Sequence, residues 1–438
     1  MIEPTSSTGS LEPDSGFERP LGTAQTTGRH IVVFADGDTD PGAMLGTVAG
    51  VSNVAFSRDF DGQAVDMAAA ADAMVFSELG MAVVSADPEQ LGALQTSVEA
   101  RGTIVAVSPE LIHHVLAGTS DYVRGYREGV TDLSARLGGA TQSADVERRT
   151  QAAASFEDND RSTWGLQATN VLASSRSGAG IKVAVLDTGL DSTHPDFVGR
   201  NITSESFIAG ASSQDGHGHG THCIGTSCGP KAPTGTRRYG VAYEADIFAG
   251  KVLSDEGSGS DGGILAGINW AVANGCAVIS MSLGADVSSP HPPYTQAGRR
   301  ALVRGSLIIA AAGNNANRPG NKGFVGAPAN SKSVMAVAAL DSELGIARFS
   351  ARSLPGRGGQ VDIAGPGVDV YSSWPMPQRY RSISGTSMAT PHTAGIAALW
   401  AQATGRRGLE LWATLVKESQ RLGEPSVDVG AGLDLAGP

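Results

Sequence analysis

Gly385-Thr386-Ser387-Met388-Ala389-Thr390-Pro391-His392 is a turn of small residues carrying one serine, and it runs straight into the apolar helical pattern Ala394-Gly395-Ile396-Ala397-Ala398-Leu399-Trp400. A serine at a helix start has two physical uses. It can cap the helix by accepting from a free backbone N–H. It can also act as a nucleophile, because the N–H groups and dipole of the first turn face the point where an oxyanion forms. The missing N–H of Pro391 is tolerated only early in the helix, which fits either use. The rest of the chain decides between them.

Two further stretches supply the decision. Val183-Ala184-Val185-Leu186-Asp187-Thr188-Gly189 reads as a buried strand delivering an aspartate into a glycine turn, and Asp215-Gly216-His217-Gly218-His219-Gly220-Thr221-His222 places histidines at another helix start. Asp, then His, then Ser is the chain order of subtilisin's triad and differs from the chymotrypsin and α/β-hydrolase orders. With these motifs the sequence resembles the subtilisin-like serine proteases, the subtilase family, and is most similar to its proteinase K-like members. The resemblance runs from about Trp164 to Gly432.

That resemblance implies a three-layer α/β/α catalytic domain with a mainly parallel sheet and the activity of a serine endopeptidase. Residue by residue it matches Ser387 to the nucleophile, His219 to the general base, Asp187 to the residue that orients the imidazole, and Asn314 to the oxyanion-hole amide. Each has a rival. His217 and His222 are the other histidines of the cluster, and His217, His219 and His222 with Asp215 allow a zinc reading, although no helical His-x-x-x-His pair exists. Asp191 and Asp196 suit structural turns. Asn315 stands beside Asn314. Gly257-Ser258-Gly259 and Ser282-Leu283-Gly284 resemble the two family segments that pair with an extended peptide, where small residues let backbones approach. Neither string holds an acidic residue, so the primary pocket is expected to take apolar side chains. Ile224 and Thr393 depart from the family pattern without removing a reacting group.

The resemblance requires no cofactor or catalytic metal. Structural calcium stays open, because Asp196, Asp341 and Asp362 match carboxylates that bind calcium in some relatives, while the calcium loop of the subtilisins is not evident between Cys228 and Tyr239.

Composition limits the other options. The chain has 438 residues, enough for one large core and a smaller companion. Its 58 glycines exceed the usual share of about 7% and point to tight turns and close backbone approach. The net charge of −12 argues against nucleic acid or an anionic membrane as partner. Cys223, Cys228 and Cys276 form no disulfide framework. The first residues carry neither a basic nor an apolar signal region, and no apolar run approaches the length of a membrane helix, so the chain is expected in the cytoplasm or exported by a route it does not show.

Ahead of the catalytic domain the sequence divides into a Ser/Thr/Gly/Pro-rich tail over 1–28, a small α+β ferredoxin-like domain over 29–110, and a helical and polar linker over 111–162. Strand patterns at His30–Phe34, Met81–Ser85 and Thr103–Val107 alternate with helical ones at Pro41–Val51 and Pro88–Ala100. The unit is similar to the propeptide that precedes subtilase catalytic domains, which implies an intramolecular inhibitor or chaperone. About fifty residues separate Val107 from Trp164, more than the family spacing, with a helix expected over Tyr122–Leu137. The catalytic domain fills 163–438. The expected reaction is peptide-bond hydrolysis through an acyl-enzyme on Ser387. A dedicated maturation protease, an acyl-transferring ligase or a silent binding protein with a filled cleft are the alternatives.

Overall fold

A computed structural model describes residues 24–37, 40–57, 71–100, 102–116, 155–356 and 358–438. The helix expected over Tyr122–Leu137 and most of the polar stretch after it lie outside these residues.

The N-terminal unit consists of strands β1 (Thr26–Phe34), β2 (Val54–Phe56), β3 (Ala73–Phe76), β4 (Met81–Val84) and β5 (Ile104–Val115), with helices at Pro41–Ala49 and Pro88–Glu99. The order β5-β1-β4-β3 is that of a ferredoxin-like βαββαβ sheet, and β2 adds an edge strand parallel to β3. Both helices start on side-chain caps. Asp40 accepts from the backbone N–H of Gly42, and Asp87 forms a reciprocal capping box with Gln90.

Period-two alternation gives this sheet two buried faces. Val32, Phe34, Val75, Ala82 and Val84 pack under the unit's own helices with Leu45 and Leu94. Ile31, Val33, Met74, Phe76, Met81 and Val83 face the other way and join the main core of the C-terminal unit. β1 begins inside the stretch read as tail, because Thr26 stands in register with Leu111 and the Gln25 carbonyl accepts from the Ile112 N–H. β5 runs past 110 into the stretch read as linker.

The C-terminal unit is built on a seven-stranded parallel sheet in the order β14-β13-β12-β10-β6-β8-β7. Its strands are β6 (Lys182–Asp187), β7 (Ile202–Ser206), β8 (Asp246–Lys251), β10 (Val278–Met281), β12 (Leu307–Ala311), β13 (Met335–Leu340) and β14 (Ile363–Pro366). Continuous apolar runs make such strands because both faces are covered. In β6, Val183 and Val185 meet the helices His219–Cys228 and Thr386–Thr404. Ala184 and Leu186 meet the helices Asp261–Ala273 and Pro292–Val303. The three layers are therefore helix, sheet and helix, with the N-terminal sheet stacked as a further layer on the second helix pair.

Three short additions complete the site end. β15 (Val370–Ser373) and β16 (Tyr380–Ile383) form an antiparallel pair. β9 (Ser258–Ser260) and β11 (Leu283–Gly284) stand apart from the main sheet and pair instead with β5. Among the described residues no helix is long and apolar enough to cross a membrane.

Candidate active site

Asp187 ends β6 at the carboxyl edge of the sheet, where ligand sites of parallel α/β folds gather. Its main-chain carbonyl is fixed by the N–H groups of Val252 and Leu253. Its Oδ1 accepts from Thr188 N and, at 2.7 Å, from His219 Nδ1. Beneath this turn the buried Lys251 ammonium donates to the Thr188 carbonyl and, at 2.7 Å, to Asp255.

His219 is the first residue of its helix, and Gly218 precedes it with φ 104°, a left-handed conformation that favours glycine. Burial alone would lower the pKa of His219. The charge and hydrogen bond of Asp187, with help from Cys223, hold it well above the ordinary histidine value. Its Nε2 is buried with no hydrogen-bond partner among the described residues.

The other members of the cluster do different work. Asp215 accepts from the N–H groups of His217, Gly218 and Thr221 and from the hydroxyls of Thr188 and Thr221, so it is a loop-binding carboxylate. His222 Nε2 donates to the carbonyls of Val370 and Arg381, and burial pushes its pKa down to about 3. Burial likewise lowers the pKa of His217. Within the described residues only Asp187, His219 and Cys223 bring three metal-capable atoms together. Burial raises the Cys223 pKa and so favours the neutral thiol, which lies 3.6 Å from the Ser387 carbonyl it donates to. A neutral thiol and an Nδ1 already directed at Asp187 do not suit a metal.

Asp196, Asp341 and Asp362 do not form one ligand set either. Asp196 accepts from Tyr239, Tyr380 and Thr234, Asp341 closes its own turn, and Asp362 accepts from Ala336 N. Asp191 accepts from Thr193 in its own loop and from Gln214 and the Met376 N–H in two others.

Ser387 is the second residue of the Thr386–Thr404 helix and is fully buried. Pro391 sits deeper than the first turn. Having no N–H, it leaves the Ser387 carbonyl without its helical partner, and that carbonyl accepts from Ser282 Oγ at 2.8 Å and from the Cys223 thiol. The Ser387 hydroxyl donates to the carbonyl of Leu116 at 2.8 Å and lies 3.1 Å from the Ser282 carbonyl. It therefore points at the strand in the cleft, and the expected hydrogen bond to the base is not made in this state.

Asn314 follows the end of β12. Its Oδ1 accepts from both the backbone N–H and the hydroxyl of Thr386, which turns Nδ2 to donate to the Leu116 carbonyl. The rival Asn315 is spent on Phe324 in its own loop and on Asp286 in another.

The two Gly/Ser strings flank the same strand. In β9, Ser260, Gly259 and Ser258 stand opposite Ile112, His113 and His114, and the Gly257 carbonyl accepts from Val115 N at 2.9 Å. In β11, Leu283 and Gly284 stand opposite Val115 and His114. A Cβ added at Gly284 would meet Leu116 Cδ1 at 3.0 Å, and one at Gly385 would meet the Leu116 carbonyl oxygen at 2.7 Å.

Leu116 and the strand leading to it went unread in the sequence, as did Asp261, His291 and Tyr294 beneath that strand. The one available signal was the strand pattern at Thr103–Val107, which continues beyond Ser108-Pro109-Glu110 to Val115.

A model of the subtilase family matches residues 178–432. Subtilisin DY of Bacillus licheniformis is 41% identical over 235 residues, 53% of this chain and 81% of that protein. Subtilisin Savinase of Lederbergia lenta is 40% identical over 280 residues, 61% of this chain and 97% of that protein. Thermitase of Thermoactinomyces vulgaris is 38% identical over 246 residues, 56% of this chain and 83% of that protein. With this match and the α/β/α architecture, the chain belongs to the subtilase family and is a serine-type endopeptidase.

Proposed function

We propose that the enzyme cleaves peptide bonds through an acyl-enzyme on Ser387, with His219 as general base and acid, Asp187 orienting it, and Asn314 in the oxyanion hole. One observation carries the reading: the Leu116 carbonyl accepts from both Ser387 Oγ and Asn314 Nδ2 at the end of a strand paired on both edges. A substrate adds as that strand does, between β9 and β11, and presents a carbonyl in the same place.

For attack, the Ser387 hydroxyl turns from the Leu116 carbonyl to the unpartnered His219 Nε2, which takes its proton as Oγ bonds to the carbonyl carbon. The resulting oxyanion is stabilised by Asn314 Nδ2, already fixed by Thr386, and by N–H groups at the helix start. As the tetrahedral intermediate collapses, the C–N bond breaks and His219 returns the proton to the leaving amine. Water, deprotonated by the same imidazole, then releases the acid and restores Ser387. Asp187 stays ionised throughout and stabilises the imidazolium.

The N-terminal unit acts in this scheme as an intramolecular inhibitor. Its last strand fills the cleft, and the Leu116–Ala117 bond is the one offered to Ser387. Leu116 against Gly284 fits a primary pocket that takes apolar side chains. The polypeptide partner is thus first the chain's own strand and then a substrate in the same register.

A serine-directed phosphonate tests the assignment. Labelling of Ser387 in the wild type, abolished in both Ser387→Ala and His219→Ala, is the expected result. Labelling elsewhere, or none in protein that cleaves peptides, contradicts it.

A further inference from the structure

Upstream of Leu116 on the strand that occupies the cleft, the side chain of His113 is fully buried between the two halves of the molecule. Its Nε2 donates to Asp261 Oδ1 at 2.7 Å, and the Tyr294 hydroxyl stands 3.2 Å from the same nitrogen, with the two rings edge to face. The other oxygen of Asp261 accepts from His291 Nε2 at 2.9 Å and from the Leu111 N–H at 2.7 Å. Asp261, His291 and Tyr294 belong to the catalytic domain, whereas His113 and Leu111 belong to the strand in the cleft. When that strand leaves, the buried carboxylate keeps His291 and loses two of its three close donors. Burial alone would raise the pKa of Asp261, but hydrogen bonds and charge from His113 and His291 outweigh it and keep the carboxyl ionised. A carboxylate that has lost two donors is left to water, and a ligand that excludes that water and restores the donors is favoured over one that excludes it without restoring them.

We propose that Asp261, backed by His291 and Tyr294, forms a polar pocket that makes this protease select substrates with a histidine at the fourth residue before the cleaved bond. An alanine there leaves Asp261 without the lost donor. A phenylalanine fills the space but sets an apolar edge against the carboxylate. The main-chain N–H two residues further upstream supplies the Leu111 contact whatever the sequence, so discrimination falls on the fourth side chain. The proposal rests on the cleft register and nucleophile given above for the protease reading.

The test uses the full chain, left to mature, with active sites counted by phosphonate labelling of Ser387. Peptides Leu-Ile-His-His-Val-Leu, Leu-Ile-Ala-His-Val-Leu and Leu-Ile-Phe-His-Val-Leu, each followed by a fluorogenic leaving group, are compared by kcat/KM. The histidine peptide is expected to exceed the other two by about tenfold or more, the discrimination given by one hydrogen bond to a buried charged group. In Asp261→Leu and Asp261→Asn the histidine-to-alanine ratio is expected to fall towards one. Asp261→Asn keeps the shape of the site should Asp261→Leu fail to fold. Ser387 labelling with all three peptides cleaved within about twofold of one another overturns the pocket and leaves the protease reading standing. So does a histidine preference that survives Asp261→Asn. Absence of both labelling and cleavage contradicts the protease reading and the pocket with it.

Discussion

The carbonyl oxygen of Leu116 accepts the hydroxyl hydrogen of Ser387 across 2.8 Å, although 271 positions of chain separate the two residues. Asn314 donates to the same oxygen, so a backbone carbonyl of the N-terminal unit occupies the place that the proposed mechanism gives to a substrate's reactive carbonyl. The strand and the proposed nucleophile therefore meet at one carbonyl oxygen.

Thr386 directs Asn314. Its hydroxyl and its N–H both donate to Asn314 Oδ1 and leave Nδ2 aimed into the cleft. Thr386→Val keeps the N–H contact and removes the hydroxyl. Steady-state kinetics on a peptide substrate should show kcat reduced by roughly tenfold with KM little changed, and Thr386→Ser should restore most of it. An effect on KM alone would assign Thr386 to substrate binding instead.

Asp187 holds the pKa of His219 well above 6.5, and a general base must be neutral to accept a proton. Activity should therefore rise with pH through a midpoint above the ordinary histidine value. Asp187→Asn should move that acid limb downwards while lowering kcat, by about 10⁴-fold if the loss matches that of the equivalent substitution in the chymotrypsin-type triad. A pH profile whose acid limb stays in place after the substitution contradicts this account of the imidazole.

Arg300 fastens the N-terminal unit. Its guanidinium donates to the carbonyls of Phe34, Leu79 and Gly80 and pairs with Asp36. Arg300→Ala should weaken this hold and shorten the lag before peptide-cleaving activity appears by about threefold or more, since several buried carbonyls lose a charged donor at once. An unchanged lag would show that the apolar face of Ile31, Val33 and Met81 alone sets release.

Asp362 gives a stability prediction with a definite sign. Burial raises its folded pKa from 3.8 to about 7 against the opposing N–H of Ala336. The folded state thus retains a proton that the unfolded chain gives up first, and the associated stability is complete below 3.8 and is lost as pH rises towards 7. Asp362→Asn, neutral at every pH, should gain on the wild type by a few degrees in Tm between about pH 5 and about pH 8. A difference that does not vary with pH contradicts the buried, protonated carboxyl.

Much of the fold was legible in the sequence, and so was the placing of the residues proposed to react, because each sits where one chain segment nearly determines the local structure. A buried β6 ending in Asp187, a glycine turn into the His219 helix, and small residues before Ser387 all use local rules of strand, turn and helix start. The parallel sheet was equally readable from apolar runs such as Cys276–Leu283 and Leu307–Ala312. What escaped depends on distant partners. β7, Ile202-Thr203-Ser204-Glu205-Ser206, carries little apolar pattern and is a strand because β8 pairs with it. The apolar pattern of β5 is interrupted by Pro109 and by Glu110, whose buried carboxylate is bound by Thr27, Arg29 and the Gly262 N–H. Its pairing with β9 and β11 joins segments more than a hundred residues apart, which no local pattern records. Asp261 lies at the start of a helix, and its pairing with His113 appears only when the distant strand is set against it.

The most direct measurement is intact-mass analysis with terminal sequencing of freshly purified wild type beside Ser387→Ala. The wild type should part between Leu116 and Ala117, and Ser387→Ala should stay whole with its N-terminal strand in the cleft. A wild type cut only elsewhere, or a Ser387→Ala chain cut equally at Leu116, would contradict the claim that Ser387 attacks the carbonyl this strand presents.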